Sequence, residues 1–122
     1  MTPFHHIRLE LARETGHPEG SPQEGYDIVA PLDVDGRLDA NALRAEPGRG
    51  RVRRFSGNET VGSGQLRHGP GGRWLLDMDE GEAEDAVGFR FGDERFVVGE
   101  YVSLSLPSGG QHTYVVARVA EV

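Results

Sequence analysis

FVVGEYVSLSLPSGGQHTYVVARV, residues 96–119, decides the fold class of this chain. Apolar and polar residues alternate on both sides of a proline- and glycine-rich cluster at 107–110. Alternation among β-branched and aromatic residues is typical of half-buried strands, and such a cluster between two strands marks a turn. The stretch therefore predicts an antiparallel hairpin.

The register of this hairpin is predicted from the position of its turn. A shift of one residue would turn a whole strand over, so we choose the register that places the apolar residues of both strands on one face. Val102 and Leu104 are then buried with Val115. The expected pairs are Leu106 with Gln111, Leu104 with Thr113, and Val102 with Val115.

Shorter alternating runs predict further strands along the rest of the chain. Asp39 is expected to cap a short helix over residues 40–46, and residues 16–25 are expected to form a loop. We predict one all-β domain over residues 1–122, a small antiparallel barrel or barrel-like sandwich of seven or eight short strands with one short helix. Before the hairpin stretch, the predicted strands are 7–11, 26–32, 51–55, 61–68, 73–78 and 87–91, and the last of these turns into a short run at 96–98 that leads into the hairpin.

The composition excludes several classes of chemistry. The chain has 122 residues and a formal net charge of -7, which disfavours binding to nucleic acid or to an anionic membrane surface. It contains neither cysteine nor lysine, which excludes thiolate nucleophiles, cysteine-bound metals and lysine Schiff bases. We expect no cofactor. Because small secreted domains often need disulfides, and the first residues do not resemble a signal peptide, we expect a cytoplasmic protein.

The segment DVDGRLD, residues 33–39, partly matches a calcium-binding loop. Aligned on its glycine, however, the positions of the first ligand and of the last, bidentate ligand hold Pro31 and Ala42. We therefore interpret the segment as an Asp-Gly turn that leads into the capped helix, and we predict no metal site.

A second acidic segment lies at residues 77–85. Its six carboxylates do not have the spacing of an ion cage. Like charges at this density favour a solvated loop, which is also a candidate contact surface for a partner protein. The candidate partner-binding residues are Asp77, Asp79, Glu80, Glu82, Glu84 and Asp85.

Arginines are concentrated at residues 49–54. In a strand, Arg51 and Arg53 point to one side and Arg54 to the other. Two arginines on one face can hold a phosphate or a carboxylate. We favour instead internal ion pairs with the acidic segment, because the chain has an excess of acids.

The single tryptophan belongs to a second candidate site. In the hairpin that turns at Pro70-Gly71, Arg67 is expected to lie opposite Trp74, either as a cation–π pair or as part of a ligand-binding face. Together with the arginines of the preceding cluster, the candidate ligand-binding residues are Arg53, Arg54, Arg67 and Trp74.

Four stretches carry a resemblance: GYDIVAPLD at 25–33, RVRRF at 51–55, GFRF at 88–91 and FVVGEYVS at 96–103. Together they resemble a family of small uncharacterised bacterial proteins over most of the chain. Because that family has no established activity, the resemblance implies no catalytic residues. The closing hairpin is also similar to that of small barrels of the PUA and SH3-like kinds, many of which bind RNA through basic surfaces that are not matched here.

Three functions are compatible with these residues. The first is a binding module for another protein, through the acidic segment or a sheet edge. The second is a barrel that binds a small molecule or an anion through its Arg/Trp-lined face, and the third is an enzyme whose carboxylates and histidines meet on folding. We predict the first. A filled barrel with an apolar surface patch would favour it, whereas a pocket lined by Trp74 and arginines would favour the second.

Overall fold

The fold is a closed β-barrel. The computed structural model describes residues 2–13, 18–81, 84–88 and 90–122, and of Glu80 only the backbone. In this part of the chain, eight antiparallel strands follow one another around the barrel in chain order, and the last pairs with the first. The predicted all-β class is confirmed, as a barrel with one short α-helix. The elements are β1 (Phe4–Leu11), β2 (Ser21–Pro31), α1 (Ala40–Ala45), β3 (Arg51–Ser56), β4 (Glu59–His68), β5 (Trp74–Gly81), β6 (Ala86–Gly88), β7 (Tyr101–Ser105) and β8 (Gln111–Glu121).

Closure of the barrel gives each described strand two neighbouring strands. β1 pairs with β2 on one side and with β8 on the other. The weakest join is between β6 and β7, where the described residues form a single pair, Val87 with Ser105. A wholly unpaired edge strand, one of the two contact surfaces considered above, is therefore absent among the described strands, and most of β7 is paired on its β8 side alone.

The barrel interior is filled with apolar side chains. Successive residues of a strand point alternately inward and outward, so each strand contributes one face to the core. Trp74 lies in this core and is 2% exposed. The connection between β6 and β7 adds Phe91 and Phe96, whose rings meet edge to face with centroids 5.1 Å apart. Other fully buried core residues are Ile7, Leu9, Tyr26, Ile28, Leu66, Leu76, Val102 and Leu104.

The β7–β8 hairpin forms, but its register differs by one residue from the prediction. Five residues separate the paired Ser105 and Gln111, because Gly109 and Gly110 adopt positive φ angles that favour glycine. The expected loop had an even number of residues. A loop with an odd number of residues exchanges the buried and the exposed face of one strand. The predicted pairs are replaced by Ser105 with Gln111, Leu104 with His112, and Val102 with Tyr114.

The change of register exchanges the two faces of β8. Tyr114 and Val116 face the core at 3% and 0% exposure, and Val115 is only partly buried. A bulge in the β1–β8 ladder then shifts the alternation, so that Val119 also packs against the core. Burial of Leu104 is confirmed, whereas the inclusion of Val115 on its face was wrong.

The β4–β5 hairpin shows the same error for the same reason. Its loop also contains five residues, and Gly71 and Gly72 both have positive φ angles. His68 therefore lies opposite Trp74, with ring centroids 4.7 Å apart. The predicted pair of Arg67 with Trp74 is wrong, because these two side chains lie on opposite faces of the sheet.

Three predicted boundaries are also corrected. Residues 96–98 form no strand, and the N–H of Phe96 donates instead to the carbonyl oxygen of Gly36. β6 ends at Gly88, and Phe91 lies in the following turn. β2 begins at Ser21, inside the segment predicted to be a loop. Phe89, which belonged to a predicted strand, and residues 16–17, which belonged to that loop, lie outside the described residues.

The turn and the helix between β2 and β3 are confirmed. Asp33 Oδ1 accepts hydrogen bonds from the backbone N–H groups of Asp35 and Arg37, at 2.9 and 3.0 Å. Asp39 Oδ1 accepts from a backbone N–H in the first turn of α1 at 3.0 Å, as an N-cap does. Thr2 donates to its other carboxylate oxygen at 2.6 Å, and these hydrogen bonds hold the pKa of Asp39 below its usual value.

Candidate functional site

The arginines of β3 point to opposite sides, as predicted. Arg51 and Arg53 face outward, and Arg54 lies across from the buried Tyr26 of β2. The guanidinium carbon of Arg54 lies 5.6 Å from the centroid of the Tyr26 ring. Burial raises the pKa of Tyr26, and the positive charge of Arg54 offsets part of that increase.

Arg53 pairs with Asp27 of β2 and not with the acidic segment, so the predicted pairing is wrong for this residue. Its Nε and Nη2 lie 3.1 and 2.5 Å from Asp27 Oδ2. The other carboxylate oxygen lies 3.2 Å from His6 Nε2 and 4.0 Å from Arg8 Nη1, both on β1. The Asp27 side chain is only 11% exposed. We call Asp27, His6, Arg8 and Arg53 the Asp27 cluster.

The Asp27 cluster covers an aromatic ring on the outside of the barrel. The guanidinium carbons of Arg8 and Arg53 lie 4.1 and 5.6 Å from the centroid of Phe55, which is 1% exposed. Arg8 is held over the ring by Glu10 Oε2, 2.8 Å from its Nε. Gly25 leaves room for the ring, since a Cβ there would lie 2.9 Å from Phe55 Cζ. Charged side chains thus bury Phe55.

The four candidate ligand-binding residues are not brought together. Trp74 lies in the core, and Arg54 faces inward beside Tyr26. Arg53 belongs to the Asp27 cluster. Arg67 is exposed and donates from Nε to Asp77 Oδ2 at 2.7 Å. No Arg/Trp-lined face is formed by these residues.

The first half of the acidic segment is strand rather than loop. β5 continues to Gly81, so the backbones of Asp77, Asp79 and Glu80 belong to the barrel wall. Asp77 is paired with Arg67, and Asp79 is exposed. Glu82 lies outside the described residues.

The second half of the acidic segment is tied to neighbouring strands. Asp85 Oδ1 accepts a hydrogen bond from the backbone N–H of Met78 at 2.8 Å. Glu84 accepts from the backbone N–H of Ser108 at 3.1 Å and also from its hydroxyl group. These carboxylates stabilise the protein's own backbone, which leaves them less available to a partner.

Exposed apolar side chains gather on another part of the surface. Val34, Val97 and Val98 are 101%, 40% and 60% exposed. They line a depression of about 340 Å³, which adjoins a second depression of about 530 Å³. His5 and Leu32 contribute to the walls of both. We call this surface, defined by Val34, Val97, Val98 and His5, the valine groove.

The valine groove is positioned by contacts between two loops. The N–H of Phe96 donates to the carbonyl oxygen of Gly36 at 2.7 Å, and Arg95 Nε donates to that of Asp35 at 2.9 Å. The β2–α1 turn is thereby fastened to the β6–β7 connection. Val34 at its tip is held in solvent by a structured turn.

Polar groups of the valine groove are few and partly unpartnered. His5 Nδ1 is buried and has no hydrogen-bond partner among the described residues. The exposed acids Asp33 and Asp35 line the groove with a single arginine, Arg95. The groove is therefore apolar with a slight excess of negative charge.

The groups with shifted pKa values lie far apart in the fold. Burial raises the pKa of Glu94 in the β6–β7 connection, and its Oε1 is buried without a hydrogen-bond partner in the described structure. Tyr26 lies on β2, and Asp39 caps α1. They do not form an acid–base pair. Within the described ranges, no three His, Asp or Glu side chains gather closely enough to hold a metal ion.

Sequence reasoning missed His6, Asp27, Phe55 and Val34. The first three meet only across strands, so their association required the register of β1, β2 and β3. Val34 did carry a signal, because an apolar residue between two aspartates in a turn has no neighbours that bury it locally.

Comparisons with protein families, with curated proteins and with solved structures found no match to this chain. No helix in the described parts of the chain is long and apolar enough to cross a membrane.

Proposed function

We propose that this protein is a non-catalytic binding module whose partner, another protein, docks on the valine groove. The observation that carries this proposal is the clustering of exposed apolar side chains. Val34, Val97 and Val98 are three of the five large hydrophobic residues exposed in the described part of the chain, and all three line one depression. Contiguous exposed apolar patches mark interaction sites more often than isolated apolar residues do.

The gain from covering these valines offsets part of the free-energy cost of association. Complete burial of a valine side chain contributes roughly 1.5 kcal/mol or more. Three such side chains would offset part of the roughly 4–15 kcal/mol that two proteins lose in freedom of motion when they associate. An interface that extends beyond the groove would supply the remainder.

The filled barrel favours binding at the surface. Many small barrels that bind a ligand hold it in an interior cavity. Here the interior carries Trp74, Tyr26 and Leu76 at 2% exposure or less. The depressions formed by the described residues lie on the outside and at the loops, where a partner's side chain can enter from solvent.

The chemistry of the groove selects the kind of partner. The two exposed acids, Asp33 and Asp35, outnumber Arg95, so a basic side chain next to an apolar one is complementary. The net charge of -7 and the acidic groove both disfavour nucleic acid as the partner.

We place the protein in the cytoplasm, because it has no cysteine.

The test compares two variants that add the same charge to exposed apolar positions. Val34→Asp lies in the valine groove, whereas Tyr101→Asp lies outside it, at a residue that is 63% exposed. Proteins captured from the native host by wild type and by each variant are quantified by mass spectrometry, and the captured candidate is then titrated as a purified protein.

The proposal expects Val34→Asp to weaken binding of that purified partner by about tenfold or more, and Tyr101→Asp by less than about twofold. Equal losses in the two variants would contradict the placement of the contact. Sedimentation of wild type alone provides a second check. Self-association that Val34→Asp abolishes would make the occupant a second copy of this chain and overturn the proposal of a different partner.

A further inference from the structure

A second groove, distinct from the valine groove, lies on the outer face of β1 to β4. Val29 forms its floor between His6 on one side and Arg51 on the other, as the strand pairings place them. Arg53 and Ser63 face each other across β3 and β4 and close one side. The groove has a volume of about 480 Å³. We call it the His6–Arg51 groove.

The groups that line this groove include donors that the protein itself does not use. Among the described residues, the side chains of Arg51 and Ser63 form no hydrogen bond or ion pair. Arg51 is exposed and Ser63 is partly buried. A guanidinium group offers five N–H donors and a hydroxyl offers one, so an oxygen-rich ligand in the groove would meet donors from two adjacent strands.

The charge of this face is opposite to that of the whole protein. Its two acids are already paired, Asp27 with Arg53 and Glu10 with Arg8. Arg118 lies directly opposite Arg8 across β1 and β8, and like charges in that position are destabilising. A face with unpaired arginines on a protein of net charge -7 favours an anionic ligand.

Asp27 holds Arg53 and His6 in place beside the groove, and it leaves Arg51 without an acid partner within the described residues. Its Oδ2 is taken by Arg53, and its Oδ1 lies 3.2 Å from His6 Nε2. The Nε2 of His6 therefore faces Asp27, and the donors left for a ligand are those of Arg51 and Ser63.

We propose that the His6–Arg51 groove binds a tetrahedral oxyanion, as inorganic phosphate or as the phosphoryl group of a small molecule. Arg51 and Ser63 lie on adjacent strands with donors that the protein does not use, and an oxyanion with several oxygens can accept from both. Val29 provides an apolar floor for an organic substituent. The site is independent of the proposed protein-binding function.

The test is a titration of ¹⁵N-labelled protein with sodium phosphate at constant pH and ionic strength. Saturable changes at the amides of Val29, Arg51 and Ser63 with a dissociation constant of about 1 mM or lower are expected. Phenyl phosphate distinguishes the two sources: tighter binding than phosphate identifies a phosphoryl group on an organic molecule, and weaker binding identifies the free anion. Acetate that binds as tightly as phosphate overturns the proposal.

Two variants remove the same charge from the same face. Arg51→Gln removes a lining residue, and Arg118→Gln removes an exposed arginine outside the groove. We expect Arg51→Gln to weaken phosphate binding by about tenfold and Arg118→Gln by less than about twofold. Equal losses, or shifts that stay linear up to about 10 mM phosphate, overturn the proposal in favour of a basic face that only attracts anions. Both positions are exposed, and thermal melting verifies that the variants fold.

Discussion

Phe55 and Phe96 are buried to the same extent by different means. They are 1% and 2% exposed, respectively. Phe96 packs in the core against Phe91, whereas Phe55 lies outside that core, beneath the guanidinium groups of Arg8 and Arg53. One ring is enclosed by a rigid interior, and the other by long charged side chains that stretch across the surface of the barrel.

The difference shows that burial alone does not measure how firmly a side chain is held. Arginine covers apolar surface with its stem and its planar group while it keeps its charge near water. Arg53 has two roles, because it covers Phe55 and also pairs with Asp27. The stability contributed by the Asp27 cluster should therefore depend on charge and on salt. The stability contributed by the core should depend on side-chain volume and on the absence of buried charge.

The largest effect is expected from a charge placed in the core. Leu104→Asp would bury a carboxylate with no partner at a position that is 1% exposed, and should lower the free energy of unfolding by more than about 3 kcal/mol. Circular dichroism during thermal unfolding measures this loss. Leu104→Met, which conserves volume, should cost less than about 1.5 kcal/mol. Near-wild-type melting of Leu104→Asp would show that this face is not enclosed.

The two phenylalanines provide a direct test of the comparison. Phe96→Ala should lower the free energy of unfolding by about 3–5 kcal/mol, as is usual for a phenylalanine in a core. Phe55→Ala should cost less, about 2 kcal/mol, because the arginines above it can settle into the space. Urea denaturation of both variants gives the two values. Equal losses would remove the distinction between the rigid core and the charged cover.

Two ion pairs of different exposure test how strongly stability depends on charge at the surface. Asp27→Asn replaces by a neutral amide a carboxylate that is 11% exposed and lies within 4.0 Å of Arg8, Arg53 and His6, and should cost about 1–3 kcal/mol. Asp77→Asn acts on an exposed pair with Arg67 and should cost less than about 1 kcal/mol. Urea denaturation at low and high salt tests both. A larger loss for Asp77→Asn would contradict the central role of Asp27.

The smallest effect at neutral pH is expected at Tyr26. Its Oη is buried and meets no hydrogen-bond partner among the described residues, so Tyr26→Phe should change stability by less than about 1 kcal/mol at pH 7. The pKa of Tyr26 is raised in the folded state, mainly by burial. The folded state therefore favours the neutral phenol. The stability that this adds is fully present below about pH 10, which is the pKa of tyrosine in the unfolded state, and it is lost as the pH rises through the pKa in the folded state.

Tyr26→Phe should therefore lose less stability than wild type between about pH 9 and about pH 11. Urea midpoints measured across that interval give the comparison. The exposed Tyr101→Phe is the control, and it should follow wild type. The same alkaline loss in Tyr26→Phe as in wild type would mean that the phenol is not the group responsible.

Much of the strand arrangement was predictable, because it depends on local patterns. The alternation around Leu104 and the breaks at glycine and proline located β1, β3, β4, β7 and β8, and Asp39 marked the start of α1. Each of these signals lies within a few residues and arises from side chains that must face either a core or solvent. The arginines of β3 point as their spacing predicts.

By itself, therefore, the sequence determined the all-β class, the capped helix and the alternating faces of β3. Only the tertiary structure decided the registers. Glycine pairs at 71–72 and 109–110 allow either an even or an odd loop, and the packing of Trp74 and Tyr114 in the barrel selects five residues. The candidate sites also depend on the tertiary structure, because His6 and Arg51 flank Val29, and Val34 and Val97 line one depression, only after distant segments have been brought together.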